Sequence, residues 1–123
     1  MIKVLIADDH ELMREGLKMI LGETKDIVVA AEASNGEEVL DKLKADDFDV
    51  MVLDISMPKK NGLEVLRELK AQGKRIPATI LLSAYFTEEW SKRAMKEGAD
   101  RFLSKEDPPE KLIDAIRNVV QNK

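Results

Sequence analysis

Carboxylates stand where two apolar runs of this chain end. Residues 50–53 form a continuous apolar run followed by Asp54, and residues 2–7 form a largely apolar run followed by Asp8 and Asp9. Aliphatic and β-branched runs of this length are typical of strands that are buried on both faces of a parallel sheet. If the two strands are neighbours, the three carboxylates meet at the carboxyl edge of the sheet, where open α/β sheets bind ligands.

Three carboxylates in one cleft favour a divalent cation. Two carboxylates about 4 Å apart repel each other by roughly 4 kcal/mol at an effective dielectric constant near 20, so three are costly unless a cation joins them. Mg²⁺ prefers oxygen ligands and is usually shared with a phosphate. We expect Asp9 and Asp54 to bind Mg²⁺ directly and Asp8 to bind it through water. The backbone carbonyl of Ser56 could supply one further oxygen.

Asp54 is also the candidate nucleophile, because an aspartate carboxylate can accept a phosphoryl group as an acyl phosphate. Two later apolar runs end in Ser83 and just before Lys105. We expect the Ser83 hydroxyl to donate a hydrogen bond to one phosphoryl oxygen and Lys105 to pair with another as a point charge. These three residues are the candidate catalytic groups.

Each of these residues has a structural alternative. A single aspartate at a strand end is more often a turn residue or a helix cap, and Ser83 and Lys105 alone are more often a strand-end hydroxyl and a solvated lysine. Their joint placement on adjacent strand ends is what favours a site. His10 is the only histidine, and one imidazole is a weak metal motif, so we interpret it as an exposed residue of the first helical turn and leave it outside the site.

Helical and strand patterns alternate along the chain, and they position these residues. Five apolar runs predict strands, and apolar residues at three- to four-residue spacing predict five helices between and after them. The apolar face predicted for the first helix comprises Leu12, Met13, Leu17, Ile20 and Leu21. The expected helix caps are Gly22, Ser34 with Glu37, Asn61 with Glu64, Gly73, Thr87, Gly98 and Asp107.

This alternation predicts an α/β fold, specifically a flavodoxin-like (βα)5 three-layer sandwich around a parallel five-stranded sheet of order 2-1-3-4-5. The order places the first and third strands side by side at the switch point, which brings the aspartates together. We find no linker, repeat or low-complexity segment. Residues 1–123 therefore form one predicted domain.

The composition excludes several classes of function. The 123 residues carry 20 Lys and Arg against 24 Asp and Glu, interspersed, so the chain by itself is not expected to bind the phosphate backbone of nucleic acids. The absence of cysteine excludes disulfides, thiolate zinc sites and a cysteine nucleophile, and it suits a reducing cytosol. The N-terminus resembles neither a signal peptide nor a membrane span, so we expect a cytoplasmic protein without a membrane partner.

In combination, these residues resemble the receiver domain of bacterial two-component response regulators over the entire chain. The matching features are the Asp8 and Asp9 pair, Asp54 within Leu-Asp-Ile-Ser-Met-Pro, Gly62, Ser83 with Ala84, and the segment 98–105. Segments 6–17 and 32–38 look like the subfamily whose members carry a C-terminal helix-turn-helix of the NarL/FixJ/LuxR type. One departure is that Glu106 follows Lys105, where many receivers have proline.

The resemblance implies that Asp54 accepts phosphate from a sensor histidine kinase with Mg²⁺ as the required cofactor. It further implies a switch in which Ser83 moves toward the phosphoryl group and Phe102 changes its burial. Such a chain is a phosphoacceptor regulatory domain that assists its own phosphorylation and dephosphorylation, and not an enzyme. Phosphorylation could make a homodimer. Transcriptional control and DNA contact would require an output domain, which we expect to be absent from this chain.

Other readings stay open at this point. A Mg²⁺-dependent phosphohydrolase acting through an aspartyl-phosphate would share the nucleophile, although Ser56 stands where that superfamily usually has a second acid. A third possibility is a degenerate pseudo-receiver, or a flavin-binding module of similar fold, that acts by protein contact alone. Tyr85, Phe86 and Trp90 follow Ser83 and could report or transmit a change, or Trp90 could simply pack the fourth helix.

Overall fold

Strands and helices alternate throughout the computed structural model, which describes residues 1–85 and 87–121. Phe86, one of the aromatic residues expected to report a change, lies outside these ranges. The elements in chain order are β1 (Ile2–Ala7), α1 (Glu11–Gly22), β2 (Ile27–Ala33), α2 (Gly36–Ala45), β3 (Val50–Asp54), α3 (Gly62–Ala71), β4 (Ala78–Ser83), α4 (Glu88–Lys96), β5 (Arg101–Ser104) and α5 (Pro109–Gln121).

The strands form one parallel sheet of order β2-β1-β3-β4-β5, which confirms the predicted flavodoxin-like topology. Ala7 of β1 pairs with Leu53 of β3, and Ser83 of β4 pairs with Ser104 of β5. This register aligns the carboxyl ends of the four strands, so the polar residues that end or follow them lie at one edge.

Apolar residues fill both faces of the sheet because alternate residues of a strand point in opposite directions. Every residue of β3 is buried. One face packs against α2, α3 and α4 through a cluster that includes Leu5, Met51, Leu53, Leu81, Val39, Leu66 and Ala94. The other face packs against α1 and α5 through Val4, Ile6, Val52, Ile80, Leu17, Leu21 and Ile116.

Two expectations for α1 are wrong. Leu12 is 86% exposed and not part of the apolar face, because at 100° per residue it lies roughly opposite Leu21 on the helix. Gly22 is a helical residue, and the cap that follows is Glu23 in a right-handed conformation. The N–H groups of Glu23 and Thr24 satisfy the carbonyls of Ile20 and Leu21, so no left-handed residue is needed there.

The predicted cap of α2 is displaced by one residue. Asn35, not Ser34, is the N-cap, and its side chain accepts a hydrogen bond from the Glu38 N–H. The Glu38 carboxylate accepts from the Ser34 N–H, a role that we expected for Glu37. Two overlapping Ser/Asn-x-x-Glu patterns exist here, and Asn and Ser are about equally good caps, so spacing alone does not choose between them.

The predicted cap of α5 is also wrong. The helix begins at Pro109, and the Asp107 carboxylate accepts from the Ser104 N–H, upstream of the helix. The other caps are confirmed: Asn61 and Glu64 form a capping box, Thr87 accepts from the Trp90 N–H, and Gly73 and Gly98 adopt positive φ after α3 and α4. In the described part of the chain, no helix combines the length and apolar character that a membrane crossing requires.

Candidate functional site

Asp8 and Asp54 lie together because β1 and β3 are neighbours in the sheet. Asp8 follows Ala7, and Asp54 follows its partner Leu53, so both side chains emerge at the same edge. Both are almost fully buried, with exposed fractions of 1% for Asp8 and 3% for Asp54. Charged groups removed from water to this extent require charged or hydrogen-bonding partners.

Lys105 is the shared partner of the two buried carboxylates. Its Nζ lies 2.9 Å from Asp8 Oδ2 and 2.9 Å from Asp54 Oδ2. The Lys105 backbone N–H donates to the Ser83 carbonyl, which fixes the segment after β5 against the end of β4. One ammonium group therefore bridges two acids that come from different strands, and the sheet topology brings the three together.

The two carboxylates respond to this environment in opposite ways. Burial acts to raise the pKa of Asp8, but hydrogen bonds from the His10 N–H and from Lys105 outweigh it and hold that pKa below its ordinary value. Burial raises the pKa of Asp54; Lys105 and the Ser56 N–H oppose the rise, and the charge of Asp8 adds to it. Of these two carboxylates, Asp54 is therefore the one whose negative charge its surroundings stabilise less.

Asp9 and His10 complete the cluster on its solvent side. His10 is the N-cap of α1, and its backbone N–H donates to Asp8 Oδ1 at 2.9 Å. Its ring Nδ1 lies 3.2 Å from Asp8 Oδ1 and 3.2 Å from Asp9 Oδ1. Sequence reasoning left His10 outside the site, although its position directly after two acids was the signal that could have included it.

The donor set fits a divalent cation. One potential ligand atom from each of Asp8, Asp9, His10 and Asp54 can be chosen so that all lie within 4.8 Å of one another. Oxygen predominates among them, as Mg²⁺ requires. The Ser56 N–H donates to Asp54 Oδ1 at 3.0 Å, which places the Ser56 backbone beside this cluster. Its carbonyl remains a predicted ligand.

The two predicted switch residues, Ser83 and Phe102, are both buried. Ser83 Oγ donates to the Tyr85 carbonyl at 2.9 Å and accepts from the Tyr85 N–H at 3.0 Å. Phe102 pairs with Leu81 across β4 and β5 and is 7% exposed within the core cluster beside α4. The Ser83 hydroxyl is therefore hydrogen-bonded to the backbone of the loop after β4, and the Phe102 ring lies in the core.

A cavity of about 470 Å³ opens above the acids. Asp9, His10, Asp54 and Lys105 line its polar side, and Met57, Leu63, Tyr85 and Trp90 are among the residues of its less polar side. The Trp90 ring also contacts the Arg93 guanidinium, whose carbon lies 4.9 Å from the ring centroid. The cavity can accommodate a phosphoryl group with a hydrated ion beside Asp54.

Gly62 explains why the loop after Asp54 can pass so close to the strand end. A Cβ at this position would lie 3.0 Å from the Asp54 carbonyl oxygen and 3.0 Å from the Leu81 side chain. The Gly62 N–H also donates to the Ile55 carbonyl. The first residue of α3 thus packs directly on the backbone that carries the candidate nucleophile.

Comparisons with known proteins agree with this arrangement. A profile of the family described as Response regulator receiver domain matches residues 4–117. Response regulator UvrY of Escherichia coli is 39% identical over 119 residues, which cover 97% of this chain and 54% of that protein. Transcriptional regulatory protein DegU of Brevibacillus brevis is 35% identical over 120 residues, covering 98% of this chain and 50% of that protein. The chain spans about half the length of these curated relatives.

A solved structure shares the whole fold. The signal receiver domain of the response regulator NarL from Mycobacterium tuberculosis superposes with a TM-score of 0.91 and 28% sequence identity. The match covers 99% of this chain and 98% of that domain. Similarity at this level extends to every strand that contributes to the acidic edge.

Proposed function

The chain belongs to the response regulator receiver domain family, and we propose that it is a phosphorylation-dependent switch of a two-component system. Asp54 accepts a phosphoryl group from a sensor histidine kinase. The single observation that supports this role most strongly is the position of Asp54: buried, incompletely charge-compensated and beside Lys105 under a cavity of about 470 Å³.

In the proposed transfer, a carboxylate oxygen of Asp54 attacks phosphorus and forms a P–O bond while the P–N bond of the kinase phosphohistidine breaks. The electron pair of that bond stays on the histidine nitrogen. Lys105, already 2.9 Å from Asp54 Oδ2, pairs with a phosphoryl oxygen and offsets the incoming charge. In dephosphorylation, water attacks phosphorus, inorganic phosphate leaves, and the Asp54 carboxylate is restored.

The acidic cluster would hold Mg²⁺ through Asp9, Asp54 and the Ser56 carbonyl, with Asp8 acting through water. When bound, the ion supplies positive charge that lowers the repulsion between carboxylates and phosphoryl oxygens. Asp8 keeps its negative charge most readily, because its hydrogen bonds hold its pKa low. It therefore maintains the field that attracts the cation while Asp54 reacts.

The proposed switch uses Ser83 and Phe102. Ser83 releases Tyr85 and donates its hydroxyl to the phosphoryl group, which pulls on the loop that leads into α4. Phe102, buried beside that helix, then changes its packing, so the surface of α4, β5 and α5 differs between the two states. A homodimer of phosphorylated chains would form through such a changed surface.

We further propose that the output is transcriptional and that a separate DNA-binding domain provides it. The curated relatives are about twice as long as this chain, and one of them is named as a transcriptional regulatory protein. Residues 1–123 would then constitute the receiver domain, working in the cytoplasm. In this role the chain is a signalling domain that assists its own modification, and turnover of general phosphoesters is not expected.

The test is intact mass spectrometry after incubation with acetyl phosphate, with and without Mg²⁺, which supplies the phosphoryl group without a kinase. The wild type should gain a single Mg²⁺-dependent phosphoryl adduct, and Asp54→Asn should gain none while retaining its fold by circular dichroism. Asp41→Asn, an exposed aspartate of α2, is the matched control and should react as the wild type. An adduct on Asp54→Asn, or none on the folded wild type, would contradict the proposal.

A further inference from the structure

His10 adds a nitrogen donor to the acidic cluster. Its Nδ1 lies 3.2 Å from Asp8 Oδ1 and 3.2 Å from Asp9 Oδ1. Two atoms bound about 2.1 Å from one ion are about 3.0 Å apart in octahedral geometry and about 3.4 Å apart in tetrahedral geometry. The separation between His10 Nδ1 and Asp9 Oδ1 therefore matches the spacing of neighbouring ligands around one divalent ion. A ligand atom from each of Asp9, His10 and Asp54 can be chosen so that all lie within 4.8 Å of one another.

Nδ1 faces two carboxylate oxygens, which only accept hydrogen bonds, so it donates the ring proton in this contact and must lose that proton to bind a metal ion. The His10 side chain is 71% exposed and lines the cavity above Asp54, so the ring proton can reside on Nε2 in contact with solvent. Its position is held from the backbone side, because His10 caps α1 and its N–H donates to Asp8. Little rearrangement is required to change Nδ1 from a hydrogen-bonding atom into a ligand.

We propose that His10 Nδ1, with the carboxylates of Asp9 and Asp54, binds a borderline divalent ion such as Zn²⁺ or Co²⁺. Imidazole suits these ions, whereas Mg²⁺ gains little from it because Mg²⁺ prefers oxygen. The inference rests on the divalent-cation site of the proposed function and adds a selectivity to it. His10 raises the affinity for Zn²⁺ relative to Mg²⁺, so that Zn²⁺ competes with Mg²⁺ for the same acids.

The experiment compares Zn²⁺ and Mg²⁺ affinities of the tag-free wild type and His10→Asn by isothermal titration calorimetry. Both titrations are run at the same mildly alkaline pH, in a buffer that does not bind metal ions. Asparagine is a good N-cap and preserves the start of α1. The variant should bind Zn²⁺ about tenfold more weakly or worse, with its Mg²⁺ affinity changed less than about twofold.

A second measurement needs no variant. Since His10 is the only histidine, the ring nitrogen resonances of the ¹⁵N-labelled wild type report it without ambiguity. On addition of ZnCl₂ the Nδ1 resonance should shift strongly, and saturating Mg²⁺ should not reproduce that shift. Asp9→Asn, which removes an oxygen ligand common to both ions, should weaken the binding of both.

The outcomes separate this inference from the function proposed above. Equal Zn²⁺ affinity of wild type and His10→Asn, or a ring nitrogen that does not respond to saturating Zn²⁺, would overturn it even if Asp54 is phosphorylated normally. Zn²⁺ coordination by His10 in a chain whose Asp54 accepts no phosphoryl group would support it and contradict the proposed function.

Discussion

Ser83 and Tyr85 exchange two hydrogen bonds at the carboxyl end of β4. The hydroxyl of Ser83 donates to the Tyr85 carbonyl at 2.9 Å and accepts from the Tyr85 N–H at 3.0 Å. A serine hydroxyl has one proton, so it cannot donate to Tyr85 and to a phosphoryl oxygen on Asp54 at the same time. The Ser83–Tyr85 donor bond and the proposed phosphorylated arrangement are mutually exclusive.

Ser83→Ala should slow phosphorylation by acetyl phosphate roughly tenfold or more, because the phosphoryl group loses a preorganised donor. The measurement is the initial rate of adduct formation by intact mass at saturating Mg²⁺. Ser83→Thr keeps the hydroxyl and serves as the control, with a rate within about threefold of the wild type. Equal rates for the alanine and wild-type proteins would remove Ser83 from the transfer step.

Lys105→Met should destabilise the fold by about 3 kcal/mol, because two buried carboxylates lose the cation that pairs with both. Mg²⁺ should restore part of the loss, since the ion supplies positive charge to the same acids. Urea denaturation with and without Mg²⁺ measures both effects.

Lys111→Met provides the control for lost charge, because Lys111 is exposed and its pair with Asp107 is at the surface, at 3.6 Å. The loss of folding stability caused by Lys111→Met should stay below about 1 kcal/mol and should not depend on Mg²⁺. A Lys105→Met protein as stable as Lys111→Met would show that Lys105 does not stabilise the buried acids.

Gly36→Ala should destabilise the chain by about 1–3 kcal/mol through overpacking. A Cβ on Gly36 would overlap the backbone carbonyl and the Cβ of Lys60, in the loop between Asp54 and α3. Gly16→Ala is the matched control inside α1, where nothing lies within 4 Å of the added carbon. It should instead stabilise by about 0.5–1 kcal/mol through helix propensity. Thermal unfolding of both variants tests the prediction. A Gly36→Ala protein more stable than the wild type would contradict the close packing.

Glu32 should contribute a pH-dependent stability through its contacts with Arg14 and Lys18. The hydrogen bond from Lys18 is the largest of the effects that hold the pKa of Glu32 below its ordinary value. Burial opposes these effects. A carboxylate with a lowered folded-state pKa stabilises the fold fully above its unfolded pKa of about 4.5 and loses this contribution as the pH falls through the folded value. The stability difference between wild type and Glu32→Gln should therefore be constant near neutral pH and shrink below about pH 4.5.

Urea denaturation at a series of pH values provides this measurement. Glu23→Gln, an exposed glutamate at the end of α1, removes the same charge and is the control. A Glu32→Gln difference that grows as the pH falls would contradict the direction of the Glu32 pKa shift.

The sequence was sufficient for the sheet order and for the joint placement of Asp8, Asp54 and Lys105. Short apolar runs and helical spacing are local patterns, and parallel strands separated by helices have few ways to pack, so the strand ends had to meet at one edge. Asn61 and Thr87 were likewise predictable as caps, because a cap is satisfied within its own first turn.

Other features were decided only by the tertiary structure. The orientation of the Ser83 hydroxyl toward Tyr85 and the inclusion of His10 in the acidic cluster depend on side-chain positions that residue spacing does not specify. The exposure of Leu12 depends on how α1 is rotated against the sheet, which Leu17 and Leu21 determine by packing. Sequence patterns specify which elements form, whereas the directions of individual polar groups result from contacts between elements far apart in the chain.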